Sequence, residues 1–154
     1  MESGAPSRDT PWVMAQENVE FVRRALDVFN AFTRGELSRE EVRNLGDPHF
    51  EFRWHDERTM PDLPQDLRGP DAFIEFWEQL GSAWGDLTVE ALELIEAPHD
   101  RVLALTRQSG RGRESRVPVD VHSFQLWTIR DGRAHALELF RHRADALEAA
   151  GMSQ

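Results

Sequence analysis

A single α+β domain, with helices packed on one face of a largely antiparallel sheet, is the fold class this sequence predicts. Three observations lead there. Apolar residues recur at helical spacing over much of the chain before Gly85, the period changes to that of strands from Leu87 to Arg141, and Asp131-Gly132 lies between two alternating runs as a two-residue hairpin signal. A length of 154 residues suits one core of ordinary size.

Composition narrows the class of function. Hydrophobic residues make up 40% and charged residues 30%, with nine Phe and five Trp, which is the profile of a globular chain. The 28 acidic and 18 basic residues leave a formal charge of -10. A surface of that sign repels phosphate backbones, so nucleic acid is not an expected partner. No apolar run approaches the roughly 20 residues a bilayer crossing requires, and MESGAPSRDTPW lacks a signal-peptide core. The expected location is therefore cytoplasmic, with no membrane partner. The absence of cysteine removes disulfides, thiol nucleophiles and thiolate metal sites, and the absence of tyrosine removes the phenolic hydroxyl as an acid or oxyanion donor.

Taken in order, residues 1–12 read as a flexible arm and 13–154 as the domain. From Ala15 to Thr33 two adjoining stripes, Val22/Leu26/Phe29 and Phe21/Ala25/Val28/Phe32, predict a helix with a wide apolar face, ended by Gly35. Ser38 and Glu41 have capping-box spacing and open a short helix that stops near Gly46-Asp47-Pro48. Phe50, Phe52 and Trp54 alternate with polar residues through His55, as one face of a strand. Met60 to Leu67 reads as a loop. Pro70 then opens a helix whose inner stripe is Phe73, Phe76, Trp77, Leu80 and Trp84. That aromatic stripe is read as core, with its inner end able to wall a pocket. Strands are expected at about Leu87 to Glu96, Arg101 to Ser109, Val117 to Ile129 and Arg133 to Arg141, with Gly110-Arg111-Gly112 as a hairpin turn. Ala144 to Ala150 closes the chain as a short helix.

This order of elements resembles the SnoaL-like, polyketide cyclase-like branch of the nuclear transport factor 2-like superfamily, over about Ala15 to Met152. The residues that carry the resemblance are Phe29-Asn30-Ala31-Phe32-Thr33-Arg34-Gly35, Leu67-Arg68-Gly69-Pro70-Asp71-Ala72-Phe73, Ser109-Gly110-Arg111-Gly112-Arg113, Trp127-Thr128-Ile129-Arg130-Asp131-Gly132-Arg133 and Arg143 to Gly151. The resemblance implies a cone-shaped α+β fold, a curved mixed or antiparallel sheet with about three helices on its concave face. It also implies a homodimer through the outer sheet face. Activity does not transfer with it. Arg107 matches the Arg of the superfamily's epoxide hydrolases, but Ser109 and Leu139 stand where the two acids of that triad belong. Leu139 also occupies the position of the cyclase branch's catalytic Asp, and a one-residue slip of the last strand would exchange it for Glu138. Ketosteroid isomerases and scytalone dehydratases polarise a carbonyl with tyrosine, which this chain lacks.

An unbroken register around Asp131-Gly132 pairs Leu126 with Leu137 and Phe124 with Leu139, and these apolar pairs are taken as the concave face. Period two then places Asp120, His122, Thr128, His135 and Arg141 inward, and Gln125, Trp127, Ile129, Glu138 and Phe140 outward, with Trp127 and Phe140 as a dimer patch. Asp120 and His122, about 7 Å apart on one strand face, are the leading candidate pair, the carboxylate orienting an imidazole proton carrier. Arg107, alternating with Leu103 and Leu105, and His55, at the end of the first strand, are candidates to stabilise negative charge. Asp120, His122 and His55 read more simply as solvated rim groups, whereas a guanidinium among the apolar neighbours of Arg107 needs an anionic partner or ligand. Phe29, Trp54, Trp77, Phe124, Leu137, Leu139 and His135 are the expected ligand contacts. No HxH or HExxH spacing occurs, so no metal or other cofactor is expected, and a metal site would have to draw on His55, His122 and Asp120. Three functions follow. One is acid/base chemistry (cyclisation, isomerisation, dehydration or hydration) on a hydrophobic polyketide- or terpenoid-like molecule, another is non-catalytic binding of such a ligand, and the third is a dimeric structural module.

Overall fold

The computed structural model describes residues 11–55, 66–112 and 114–152. Helix α1 (Pro11–Thr33) buries Phe21, Val22, Ala25, Leu26 and Phe29 along one side, as the two stripes require. It begins inside the segment expected as an arm, the rest of which lies outside the described residues. Ser38 caps α2 (Arg39–Arg43), its hydroxyl accepting from the Glu41 N–H at 3.3 Å. Helix α3 (Pro70–Ala83) has proline in its first turn and buries Phe73, Ile74, Phe76 and Trp77. No helix among the described residues is long and apolar enough to cross a membrane.

Six strands, β1 (Gly46–Trp54), β2 (Asp66–Arg68), β3 (Trp84–Ala97), β4 (Arg101–Gly112), β5 (Pro118–Arg130) and β6 (Arg133–Phe140), form one sheet in the order β2-β1-β6-β5-β4-β3. Among the described strands only β1 and β6 run parallel. Strand β2 includes Leu67, the last residue of the expected loop; of that loop, residues 60–65 lie outside the described residues. Gly110 and Gly112 belong to β4 rather than to a turn. Gly112 lies opposite Trp84, and a Cβ on it would clash with the Ser115 hydroxyl, so this glycine makes room for the side chain of the turn that follows. The left-handed residue of the following turn is Arg116, at φ 59°.

Two cores flank the sheet. On the inner face α1, α2 and α3 cover Val102, Ala104, Trp127, Ile129, Leu137 and Leu139. On the outer face α4 (Arg143–Ala149) covers Leu103, Leu126 and Phe140 with Ala146 and Leu147. Arg101 holds α4 in place by donating to the carbonyls of Ala149 and Ala150, both at 2.9 Å. Asn30 of α1 grips the edge strand, its amide donating to the Val89 carbonyl at 2.8 Å and accepting from the Val89 N–H at 2.9 Å. That pairing covers part of an otherwise open sheet edge.

The β5/β6 hairpin starts in the expected register, Arg130 opposite Arg133 and Ile129 opposite Ala134, then shifts at a one-residue bulge. His135 is the extra residue, so Trp127 pairs with Leu137, Gln125 with Leu139, and Leu126 with Glu138. Leu137 and Leu139 therefore face inward as expected, whereas β5 is inverted. Gln125, Trp127 and Ile129 face the helices, and Phe124 and Leu126 pack toward α4. Trp127 is no outer patch. It is 1% exposed and stacks on Phe29 at 6.0 Å between ring centroids.

Candidate functional site

The inner helices do not fill the concavity. A cavity of about 450 Å³ remains between α1, α3 and the inner face of the sheet, a size that accepts a drug-sized organic molecule. Its walls are chiefly aromatic. Phe29 from α1, Phe73, Phe76 and Trp77 from α3, and Phe52 and Trp54 from β1 all contribute. Ring centroids lie 5.6 Å apart for Phe29 and Trp77 and 5.1 Å for Phe52 and Phe73. These are tilted contacts typical of a packed aromatic cluster. Leu137 and Leu139 complete the floor.

Gln108, His122, Ser123, Gln125 and Arg141 also line the cavity. Ser123 and Gln125 are 7% and 5% exposed, and both are held from within the protein. The Ser123 hydroxyl lies 2.9 Å from the Thr106 hydroxyl, and the Trp127 indole N–H donates to Gln125 Oε1 at 2.9 Å. That hydrogen bond fixes the orientation of the Gln125 side chain. Trp77 is likewise committed, its indole N–H donating to Thr33 Oγ1 at 2.8 Å. Among the described residues no carboxylate lines the cavity.

The expected catalytic residues are not gathered there. Arg107 and Asp120 form a two-pronged ion pair of 2.9 and 2.7 Å in the solvent-exposed part of the β4/β5 ladder. The Arg107 hydrogen bond holds the Asp120 carboxyl below the usual carboxylate range, with the charges of Arg107 and His122 adding to the effect. His122 is exposed, sits opposite Arg107 in the ladder and reaches the cavity only at its edge. His55 lies outside the cavity, 2.9 Å from Glu138 and stacked on Phe140 at 4.4 Å. For Asp120 and His122 the physical reason is shared. The outer face of β5 carries its own apolar core under α4, so Phe124 and Leu126 marked a buried face that is not the concave one.

Among the expected ligand contacts, Phe29, Trp54, Trp77, Leu137 and Leu139 line the cavity. Phe124 belongs to the outer core, and His135 is bound to Asp47 at 2.8 Å across the bulge, away from the cavity. Glu138 does not replace Leu139, because the bulge keeps the leucine inward. Gln108, Ser123 and Gln125 were missed. Their signal was alternation with Trp127 and Ile129, which the apolar residues of the other face masked.

The sequence model of the SnoaL-like domain matches residues 22–136. The chain belongs to this family. Solved structures agree on a nuclear transport factor 2-like fold, and with identities this low they speak to fold alone. A protein from Jannaschia sp. CCS1, proposed to be a SnoaL-like polyketide cyclase, is 22% identical over 97% of this chain and 100% of its own, with a TM-score of 0.69. TerC, co-crystallised with polyporic acid, is 19% identical over 87% of this chain and 97% of its own, TM-score 0.65. A ketosteroid isomerase-like protein from Catenulispora acidiphila DSM 44928, in complex with trimethylamine, is 12% identical over 87% of this chain and 94% of its own, TM-score 0.65. No curated protein matches the chain. Within this SnoaL-like protein the cavity is thus furnished with aromatic rings, amide and hydroxyl groups, and the side chains of His122 and Arg141.

Proposed function

We propose that this protein binds a hydrophobic, ring-bearing small molecule in the concave cavity, and that binding, rather than carboxylate-driven turnover, is what the site is built for. The observation that carries this reading is the lining: aromatic walls with amide and hydroxyl groups, His122 and Arg141, and no carboxylate among the described residues. Such a surface stabilises an apolar ligand by excluding water and orients it through a few hydrogen bonds, but it offers little to move a proton. Two related folds hold small organic molecules, polyporic acid in TerC and trimethylamine in the Catenulispora protein.

Native mass spectrometry of the purified protein tests the proposal. A bound organic mass that disappears in Leu137→Trp, which fills the floor of the cavity, is the expected result. A mass that persists in that variant would place the ligand elsewhere. A second reading, cofactor-independent acid/base chemistry on the same ligand, rests on His122, which borders the cavity. Conversion of the ligand during long incubation, lost in His122→Ala, would favour it. A homodimer through the outer sheet face completes the proposal; Trp127 and Phe140 are both buried within the protomer, so the contact would use the His55–Glu138 pair, and loss of a dimer on sedimentation of Glu138→Arg against the wild type tests it.

A further inference from the structure

Among the described residues, one buried polar side-chain atom has no hydrogen-bond partner: the indole Nε1 of Trp54. Native proteins satisfy nearly all such groups, because a buried donor left unpaired loses its water without compensation. The contrast with other indoles is direct. Trp77 donates to Thr33 and Trp127 donates to Gln125, so each has a partner within the protein. Trp54 differs in its place. It stands on the inner face of β1 opposite Leu139, edge-on to Phe52 at 5.8 Å, and all three residues line the cavity. The partner missing from the protein is one that a molecule in the cavity can supply.

We propose that the Trp54 N–H is the specificity-determining donor of this cavity, selecting aromatic ligands that carry a neutral oxygen acceptor, such as a ketone or quinone carbonyl, over hydrocarbons of the same shape. This inference rests on the binding reading above and deepens it. The aromatic walls recognise ring surface and are indifferent to an oxygen on it. A site that holds a donor in waiting rejects the analogue lacking the acceptor, because that analogue leaves the donor buried and unpaired. A carbonyl oxygen also suits an indole, which donates and never accepts.

Fluorene and 9-fluorenone, of matching outline and differing by one carbonyl, test the assignment by titration calorimetry. Wild-type protein is expected to bind fluorenone about tenfold more tightly than fluorene, the scale of one net hydrogen bond. In Trp54→Phe, which keeps an aromatic ring in the wall, the ratio is expected to fall to near one with fluorene affinity retained. Equal binding of the two probes by the wild type overturns the assignment, as does a ratio that persists in Trp54→Phe or a loss of both probes alike in that variant. Binding of neither probe by the wild type overturns the binding reading itself, and the donor role with it. A second readout is independent of the variant's fold. The Trp54 indole N–H resonance of the wild type is expected to move downfield with fluorenone and not with fluorene, and a resonance moved equally by both overturns the proposal.

Discussion

The two faces of β5 are both buried along much of their length, yet they carry different chemistry. The inner face runs Ser123, Gln125, Trp127 and Ile129, in which the polar groups are neutral, buried and hydrogen-bonded within the protein. The outer face runs Asp120, His122, Phe124 and Leu126, in which the polar groups lie at the exposed end and the apolar ones lie under α4. Neutral donors and acceptors tolerate desolvation once paired, whereas ionised groups do not. On β5 the groups that line the cavity from within the core are therefore amides and hydroxyls, while Asp120 and His122 keep contact with water.

Substitutions on the two faces sharpen that contrast. The largest effect is expected for Trp127→Ala, which removes the ring packed between Phe21 and Phe29. A loss of about 3–5 kcal/mol in urea unfolding is expected. Leu126→Ala, on the outer face, is expected to cost less, about 2–4 kcal/mol, since the alanine-rich surface of α4 can settle into the gap. Fluorenone affinity is expected to survive Leu126→Ala; its loss there would break the separation of the two faces. Thr106→Val strips the partner from the buried Ser123 hydroxyl and is expected to cost about 1–2 kcal/mol by the same assay.

The smallest effect is expected at the Arg107–Asp120 pair, whose side chains are 45% and 52% exposed. Because its hydrogen bond with Arg107 depresses the Asp120 pKa, the pair's contribution is present above the ordinary carboxylate value and is lost as pH falls through the folded value. Asp120→Asn is thus expected to lower Tm only slightly at neutral pH, with the difference from the wild type closing below about pH 4. A large drop in Tm at pH 7 would show that this end of the outer face is buried in solution.

Local signals were legible where chemistry and geometry coincide within a few residues. The Ser38–Glu41 cap, the proline opening α3 and the Asp131-Gly132 hairpin each satisfy a backbone requirement on the spot. The inward face of β5 was not legible, for two physical reasons. Alternation loses its meaning when helices cover both sides of a strand, and the bulge at His135 shifts the register in a segment, Ala134-His135-Ala136, with no glycine to mark it. Long-range pairings were equally hidden. Asn30 meets Val89 across 59 positions, and Trp54 is singled out by a partner it lacks. The candidate site was therefore half readable: the aromatic and leucine walls follow from helical and strand stripes, while the neutral polar lining depends on register.

The most direct test of the central claim is a methyl-resolved NMR titration of the wild-type protein with 9-fluorenone. Saturable shifts at Leu80, Leu87, Leu137 and Leu139, which line the cavity, with Leu103, Leu126 and Leu147 of the outer core unmoved, are the expected result. Shifts confined to the outer leucines, or no saturable shift at any of them, would contradict a ligand site on the concave face.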